Sequence, residues 1–430
     1  MRLFETMRKD TADKKQYDII VIGAGASGMT AALTAARAAA DPDSLRILLL
    51  EKQKEPGRKL LVTGNGKCNL TNTLQEPSCY RSSDPERAWQ IICRYGGDET
   101  FDFFKRIGLV TRRKEGYVYP YSEQAAGVRR AFADALSACP SVRLMTDIRV
   151  KALKNREDGY LAVTDRGNYY GSSVIIASGG YAGPDFGCQG DGYRMAGSLG
   201  IPLVRPLPAL TSLKSRAPFL RQLSGLRCRA SVRLMAEEAC LCRDEGEVQW
   251  TGYGISGVVI FQVSRYAAAA LEEGKKVSLL LDFMPERDED GIRKLLTDMA
   301  EQNGGRSMEG FLSGFFHEKL VPVLIHEAGL TSDRTAGDMS EKDRERLAAT
   351  IKAFPLFISG YSGYEKAQVT QGGIPLSAVS SRLESLDHPG LFFAGEVLDV
   401  EGQCGGYNLQ WAFASGMAAG RGAIERNQTL

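Results

Sequence analysis

The sequence predicts an α/β protein, and three observations lead to this class. An apolar run at 17–22 passes through the glycine-rich turn 23–28 into a stretch rich in Ala and Leu, which is typical of a strand, a tight turn and a helix. A second apolar run, 45–50, completes a βαβ unit. Much later, the run 391–396 repeats the same logic near the other end of the chain. Between these parts, strand-like runs alternate with turns, so we expect a discontinuous α/β domain with a β-rich insert.

The first βαβ unit has the pattern of a Rossmann-type dinucleotide-binding fold. Gly23 permits the tight turn, Gly25 leaves room for a pyrophosphate, and Gly28 lets the helix pack closely on the strand. The helix N-terminus then faces the phosphates with its free N–H groups. Glu51 follows the second strand at the distance where a carboxylate accepts hydrogen bonds from a ribose 2′-OH. A glycine turn in an ordinary α/β protein does not explain Glu51.

Composition and charge limit the classes of function. The 430 residues allow two or three domains, and 43% hydrophobic with 25% charged residues is typical of a soluble globular protein. The net charge of +2 offers no general attraction to nucleic acid or to a membrane surface. No apolar run reaches the length of a membrane span, and the N-terminal residues form a polar tail without the apolar core of a signal peptide. We therefore expect a cytoplasmic protein with a small-molecule substrate.

The cysteines and histidines predict no metal site. The nine cysteines are odd in number and include no CxxC pair, which argues against a disulfide framework and a zinc ribbon. Cys240 and Cys242 would face the same side of a strand, but no second pair completes a site, so we interpret them as structural. None of the three histidines is spaced with another as a ligand pair on a helix.

The segment 52–72, directly behind the second strand, is dense in Gly, Asn, Lys and Thr, and we expect it to lie over the cofactor. The elements predicted after it are helical segments at 85–109 and 124–138, strands at 142–153 and 160–163, a glycine-broken strand at 173–180 and a short helix after Asp191.

Composition changes at about Gly200, and the segment 201–283 predicts a β-rich insert. Within it, the glycine-rich stretch 251–257 precedes a helical run at 258–272. The segment 286–353 is charged and helical, and we interpret its charges as a solvated face.

The C-terminal segment favours FAD over NAD. Gly395 and Glu396 end an apolar strand, and the glycine-rich turn 401–406 leads into a predicted helix at 407–425. FAD needs walls from a second part of the chain, because its ribityl chain and isoalloxazine ring extend past the pyrophosphate. Glu396 would accept hydrogen bonds from ribityl or ribose hydroxyls, and the helix N-terminus would place positive potential at the pyrimidine edge of the flavin. No second strand-linked GxGxxG with an acid downstream is found, so NADH or NADPH would dock transiently, unless another protein supplies the electrons.

Five motifs give the chain a family resemblance: GAGASG, GRKLLVTGNGKCNLTN, ASGGYAG, TGYGISG and FFAGEVLDVEGQCGGYNLQWAFASG. In this order they resemble the HI0933-like, or BaiN-like, family of FAD-dependent oxidoreductases, which have the glutathione-reductase-type flavoprotein fold. The resemblance implies an FAD domain at 15–199 and 366–430. It also implies a β-barrel-like insert at 200–285 and 354–365, with a small helical portion at 286–353.

The resemblance also implies which residues line FAD. They are Gly23, Gly25, Gly28, Glu51, Arg58, Lys59, Thr63, Asn65, Gly66, Asn69, Gly395, Glu396, Gly405, Gly406, Tyr407 and Asn408. To these we add their neighbours Ala26, Ser27 and Lys52, together with Val150, Ser178, Gly179 and Gly180. Two positions depart from many relatives, which carry His or an acid where this chain has Gly252 and Pro where it has Val258. If this loop contacts the substrate, the choice of substrate would differ from theirs.

The leading hypothesis is an FAD-dependent oxidoreductase. It would transfer hydride between flavin N5 and an unsaturated, largely apolar small molecule bound between the FAD domain and the insert, in C=C reduction or dehydrogenation of a bile-acid or steroid-like intermediate. Candidate proton donors are Tyr407, Lys67 and Cys68. Packing alone is the alternative explanation for Tyr407 and Cys68, and the same caution applies to Cys404.

Three other functions stay open at this point. The first is a flavin amine or aminoketone oxidase that uses O2, and the second is a flavoprotein that acts on tRNA, which the near-neutral charge opposes. The third is a non-catalytic flavin-binding partner protein. The sequence gives neither the substrate, nor the reductant, nor the oligomeric state.

Overall fold

The computed structural model describes residues 15–428. Their chain divides into two compact units, one formed by the residues up to Pro206 together with those from Val369 onward, and the other by Leu207–Gln368. No helix within the described residues is both long enough and apolar enough to cross a lipid bilayer.

The N-terminal part of the first unit alternates strands and helices. In chain order they are β1 (Lys15–Ile22), α1 (Ala26–Ala38), β2 (Ile47–Leu50), β3 (Thr71–Asn72), β4 (Tyr80–Ser82), α2 (Pro85–Tyr95), α3 (Gly97–Arg106), β5 (Thr111–Lys114), β6 (Tyr117–Pro120), α4 (Ala125–Ser137), β7 (Val142–Met145), β8 (Val150–Arg156), β9 (Gly159–Thr164), β10 (Gly167–Ile176) and α5 (Asp191–Ser198).

The second unit begins within a strand at the unit boundary. Its elements are β11 (Val204–Ala209), β12 (Leu213–Lys214), α6 (Leu220–Leu223), β13 (Arg227–Ala236), β14 (Ala239–Thr251), β15 (Gly254–Ser256), α7 (Val258–Glu272), β16 (Val277–Asp282), α8 (Glu289–Asn303), α9 (Met308–Leu312), α10 (Val321–Glu327), α11 (Glu341–Lys352), β17 (Phe354–Ile358) and β18 (Gly360–Tyr361). The first unit then resumes with β19 (Val369–Gly373), β20 (Leu391–Phe393), β21 (Val400–Gly402) and α12 (Tyr407–Asn427).

A parallel sheet forms the centre of the first unit. Strands β7, β2, β1, β10 and β20 lie side by side in that order, and the β8–β9 hairpin extends the sheet from the first half of β10. The register aligns Ile22 with Leu50 on one side and with Ile176 on the other, and Ile176 with Phe393. Strands β2 and β20 and the second halves of β1 and β10 are buried on both faces, as their continuous apolar runs predict. Because they are parallel, the residues after them meet at one edge of the sheet.

Helices α1 and α12 pack against each other at very short distance. A Cβ atom on Gly416 would lie 2.5 Å from the carbonyl oxygen of Ser27, and one on Gly420 would lie 2.5 Å from that of Ala31. Only glycine fits at these two positions unless the helices separate. The last helix is thereby held against the helix of the glycine turn.

An antiparallel sheet of seven strands forms the insert, in the order β17, β16, β13, β14, β15, β12, β18. Trp250 and Phe354 are fully buried in its core, 6.2 Å apart between ring centroids and edge to face. Helices α8 to α11 form the helical portion, and α7 packs on β13 and β14. Most charged side chains of these helices are exposed, whereas Asp343 of α11 is buried and paired with Arg334 and Arg346.

The predicted elements differ from the structure in their boundaries. The predicted helical segment 85–109 consists of two helices, α2 and α3, which are separated by a turn at Gly96. A Cβ atom on Gly96 would overlap the carbonyl oxygen of Ile92. The strand 142–153 is likewise two strands, with Asp147 at a left-handed φ of 54° between them. Apolar periodicity continues across both breaks, so it does not reveal them.

Candidate active site

The glycine turn leaves an open space at the start of α1. Gly23 has a φ of 103°, and a Cβ there would lie 2.6 Å from the carbonyl oxygen of Ala177. A Cβ on Gly28 would overlap the carbonyl oxygen of Gly23, whereas one on Gly25 would meet no atom within 4 Å. No side chain caps this helix end, which begins with Ala26 and Ser27. The turn thus offers backbone N–H groups and empty space, the two requirements for binding a pyrophosphate.

Glu51 is fixed beside this turn. Its Oε2 accepts a hydrogen bond of 2.8 Å from the backbone N–H of Ala24, and its Oε1 accepts one of 2.8 Å from that of Gln53. Each carboxylate oxygen has a further lone pair, so both remain able to accept a hydrogen bond from a ribose hydroxyl. The carboxylate is therefore oriented before any ligand binds.

A cluster of charges lies next to Glu51. Asp191 is 7% exposed and forms ion pairs with Lys52, with Arg194 and, at 2.8 Å, with Arg149. Burial raises the pKa of Asp191, but the hydrogen bonds from Lys52 and Arg149 outweigh it, and the pKa lies below its usual value. The sequence analysis predicted Lys52 as a cofactor-binding residue but did not predict its ion pair with Asp191, because Asp191 was interpreted only as the start of a helix.

Val150 lies at the edge of the same cluster. It is buried at the start of β8, and together with four charged residues it lines a cavity of about 230 Å³. Those residues are Arg149, Lys151, Asp191 and Arg194. The cavity therefore combines one apolar wall with cationic side chains.

The second wall comes from the C-terminal strand β20. Gly395, which has a φ of 79°, lies against helix α1. A Cβ atom on Gly395 would overlap the Ser27 hydroxyl. Glu396 accepts hydrogen bonds from Lys59 Nζ at 2.7 Å and from the backbone N–H of Thr370 at 2.9 Å. Burial lowers the pKa of Lys59, but the charge of Glu396 outweighs this effect and raises it. The structure thus brings Ser27, Lys59 and Glu396 together, as the sequence analysis expected of the two chain ends.

The loop after Glu51 has an unusual backbone. Gly64, Asn65 and Gly66 are three successive residues in the left-handed region, with φ values of 56°, 53° and 83°. The Thr63 hydroxyl donates a hydrogen bond to the carbonyl oxygen of Leu60 at 2.6 Å, which fixes the start of the bend. Arg58, at the beginning of the loop, donates to Gln53 Oε1. Asn65 and Gly66 are exposed at the tip of this loop.

Two buried polar atoms in the predicted cofactor set have no hydrogen-bond partner among the described residues. They are Asn69 Oδ1 and Ser178 Oγ. A buried polar atom without a partner costs about 1–3 kcal/mol, so a ligand that supplies the missing partners would bind favourably. Next to Ser178, Gly179 has a φ of 71°, and a Cβ on Gly180 would lie 2.5 Å from the Thr370 hydroxyl oxygen. Together with the open space at Gly25, these residues fit FAD.

The turn before α12 is held by its own side chains. Gly405 and Gly406 have φ values of 126° and 98°, and a Cβ on Gly406 would lie 2.7 Å from the backbone of Thr71. Asn408 accepts a hydrogen bond from the N–H of Gly402 at 2.8 Å and donates one to its carbonyl oxygen at 2.9 Å. The side chain of Asn408 therefore supports the turn.

The three candidate proton donors differ in exposure. Tyr407 is 4% exposed and packs edge to face on Tyr80, and burial raises its pKa well above the usual value. Cys68 is fully buried, and burial raises its pKa to about 11. Lys67 has a side chain 54% exposed and an ion pair of 3.2 Å with Glu123. Burial favours the packing explanation for Tyr407 and Cys68, and a catalytic role for any of the three remains a prediction.

Comparison with protein families identifies the chain. A family model described as the HI0933-like protein Rossmann domain matches residues 17–422. The chain belongs to the HI0933-like family. This HI0933-like protein is 39% identical over 407 residues to a 3-dehydro-bile acid delta(4,6)-reductase of Clostridium scindens, a match that covers 94% of this chain and 98% of the relative. It is therefore an enzyme, an FAD-dependent oxidoreductase.

Two further comparisons place the HI0933-like protein more broadly. It is 28% identical over 413 residues to a ribosomal RNA dihydrouridine synthase of Escherichia coli, covering 95% of this chain and 98% of the relative. Among solved structures, the FrdA chain of E. coli quinol fumarate reductase has a TM-score of 0.50 at 15% identity, covering 96% of this chain and 71% of that one. The last similarity shows that the fold is shared.

Proposed function

We propose that the enzyme reduces a C=C bond conjugated with a carbonyl group in a largely apolar small molecule of the bile-acid or steroid type. The observation that carries this proposal is the 39% identity, over nearly the whole chain, to a reductase named for 3-dehydro-bile acids with double bonds at positions 4 and 6. A 3-oxo group next to a 4,5 double bond is an enone. Enones accept hydride at the carbon remote from the carbonyl.

The residues described above would hold the cofactor in a fixed order. The N-terminus of α1 and the open turn at Gly25 would bind the pyrophosphate, and Glu51 would accept from the adenosine ribose. Glu396, paired with Lys59 at 2.7 Å, would accept from hydroxyls farther along the molecule. When bound, FAD supplies hydride transfer through its N5 atom. The N-terminus of α12 would stabilise negative charge on the bound flavin.

The reduction also needs one proton at the carbon next to the carbonyl. Tyr407, Lys67 and Cys68 remain the candidate donors of this proton, and Lys67 has the most exposed side chain of the three. The hydride would come from NADH or NADPH docked transiently, because the sequence has no second dinucleotide-binding unit.

RNA is the second candidate substrate, because a 28% identical relative is named as a ribosomal RNA dihydrouridine synthase. Forming dihydrouridine saturates the C5–C6 bond of uracil, which is also conjugated with a carbonyl. The two candidates thus share one chemistry and differ in the molecule that carries the double bond. The net charge of +2 favours the small molecule.

An anaerobic reduction experiment tests the proposal. The purified protein is reduced with NADH or NADPH while its flavin absorbance is followed, and is then mixed with a 3-oxo steroid acid bearing 4,6 double bonds, with uridine-containing ribosomal RNA, or with air. Fast reoxidation by the steroid alone supports the proposal. Fast reoxidation by RNA supports the second candidate. Reduction by amines with reoxidation by air would instead indicate an oxidase.

We also propose that the enzyme works in the cytoplasm. All nine cysteines are free thiols in the structure, which is typical of a reducing compartment.

A further inference from the structure

A hairpin in the first unit carries basic and aromatic side chains on one face. Strands β5 and β6 pair antiparallel, with Arg112 opposite Tyr119 and Lys114 opposite Tyr117. Residues directly opposite each other in an antiparallel pair project from the same face of the sheet. These four residues therefore form one surface, which we call the basic–aromatic face.

The other face of the hairpin belongs to the protein interior. Val118 is fully buried, and the Arg113 guanidinium lies 5.3 Å from the ring centroid of Phe101. The basic–aromatic face therefore points outward, with Arg112 and Lys114 exposed and Tyr117 38% exposed. Solvation of an edge hairpin accounts for the charges but not for two neighbouring aromatic rings, whose centroids are 6.4 Å apart.

This face borders the candidate site directly. Tyr117 pairs with Asn72, and the Asn72 side chain donates a hydrogen bond of 3.2 Å to the carbonyl oxygen of Gly405. The Tyr117 ring lies 3.2 Å from the position of a Cβ on Gly405. A ligand at the turn before α12 would therefore have the aromatic rings as its next neighbours.

Positive charge exceeds negative charge on and around the face. Lys67 and Arg112 both bind the Glu123 carboxylate, at 3.2 Å and 3.1 Å. Lys114 adds a third cation, whereas Glu115 in the hairpin turn is the second carboxylate. Arg112 has N–H groups beyond the one that contacts Glu123, so it can donate to another anion together with Lys114.

We propose that the basic–aromatic face is a subsite for an anionic group, such as a carboxylate, on the substrate. The inference rests on the proposed function and deepens it. Tyr117 and Tyr119 would pack on the apolar carbon framework, while Arg112 and Lys114 bind the anion at its far end. The substrate is then an elongated molecule with its unsaturated carbonyl at one end and its negative charge at the other.

The test compares two matched ligands on the FAD-loaded, full-length protein: a 3-oxo steroid acid with 4,6 double bonds and its neutral methyl ester. Binding is measured by equilibrium dialysis and turnover by kcat/KM. We expect the wild type to prefer the acid roughly tenfold, the effect of two charge-assisted contacts near the surface. The double variant Arg112→Gln, Lys114→Gln loses this preference. The variant Lys154→Gln, an exposed cation on β8, keeps it.

Failure of the subsite and failure of the proposed function give different results. An acid-to-ester ratio that is the same in the wild type and the double variant overturns the subsite, whether or not turnover occurs. If neither compound is reduced, the proposed function fails, and the dialysis ratio still tests the subsite. Tight RNA binding that weakens steeply with salt and is lost in the double variant would assign the face to RNA instead. Equal FAD content of all variants shows that they are folded.

Discussion

Lys59 and Glu396 form an ion pair of 2.7 Å although 337 positions separate them in the chain. Their side chains are 28% and 20% exposed, so the pair is largely removed from water. It joins the loop behind the first βαβ unit to the end of the last strand of the sheet. Both walls of the candidate site are therefore coupled through one charge pair.

The substitution Glu396→Gln removes the anion and leaves the Lys59 ammonium buried without its counter-charge. We expect unfolding by urea to lose about 1–3 kcal/mol of stability in the flavin-free protein, and FAD affinity to fall. The control is Glu99→Gln, which breaks the exposed Arg421–Glu99 pair of 2.9 Å and should change stability by less than about 0.5 kcal/mol. Equal effects of the two substitutions would contradict the role of Glu396.

The substitutions Gly25→Ala and Gly28→Ala distinguish a glycine required for ligand binding from a glycine required for folding. A Cβ on Gly25 meets no protein atom, so we expect unchanged thermal stability without flavin but FAD affinity lowered at least about tenfold. A Cβ on Gly28 overlaps the carbonyl oxygen of Gly23. The Gly28→Ala variant should therefore lose about 2 kcal/mol of stability or more. Unaltered FAD binding by Gly25→Ala, measured by fluorescence titration, would exclude the turn as the pyrophosphate site.

Asp191 predicts a dependence of stability on pH. Its pKa in the folded protein lies below the usual value, because the hydrogen bonds from Lys52 and Arg149 outweigh the effect of burial. Its contribution is therefore fully present above its unfolded pKa, about 3.9, and is lost as the pH falls through the folded pKa. The wild type should exceed Asp191→Asn in stability at pH 7, by on the order of 1–3 kcal/mol, and the difference should shrink below about pH 4.

The control for this pH series is Asp134→Asn, at an exposed carboxylate 3.6 Å from Arg130. Urea denaturation at several pH values gives the comparison. A constant difference between wild type and Asp191→Asn across the series would show that Asp191 is not held ionised in the folded protein.

The thiols predict a pattern of chemical reactivity. Cys68 is fully buried, and burial raises its pKa to about 11, so iodoacetamide at pH 7.5 should leave it unmodified in the native protein and alkylate it only after unfolding. Cys93 is exposed and serves as the matched thiol that reacts in the native state. Mass spectrometry of the alkylated peptides measures both. Rapid alkylation of Cys68 in the native protein would show that its thiol is accessible and would favour its role as a proton donor.

The sequence predicts best those parts of the site that a local pattern specifies. The strand β1, the glycine turn and Glu51 follow one another at spacings that physical chemistry dictates, and the structure places them together. Gly395 and Glu396 could be assigned because an acid after a buried strand repeats that pattern. The family resemblance added the loop at 63–69, whose left-handed backbone has no periodic signal.

What the sequence could not predict are the partners of these residues. The ion pair between Lys59 and Glu396 and the cluster around Asp191 join positions far apart in the chain, and no spacing rule relates them. Asn408 is predicted by the family motif to line the cofactor, but its side chain forms hydrogen bonds with the backbone of Gly402. Side-chain roles depend on which backbone groups lie within hydrogen-bond reach, and only the fold determines that.

The separation of the glycine turn from β20 and α12 along the chain has a consequence for biosynthesis. During translation the glycine turn emerges well before the strand that pairs with β10 and the helix that packs on α1. A nascent polypeptide that has not reached these two elements therefore has the glycine turn but not its opposing wall. Flavin capture is expected to follow the synthesis of α12, and messages truncated before residue 391 should yield products that are degraded without ever acquiring colour.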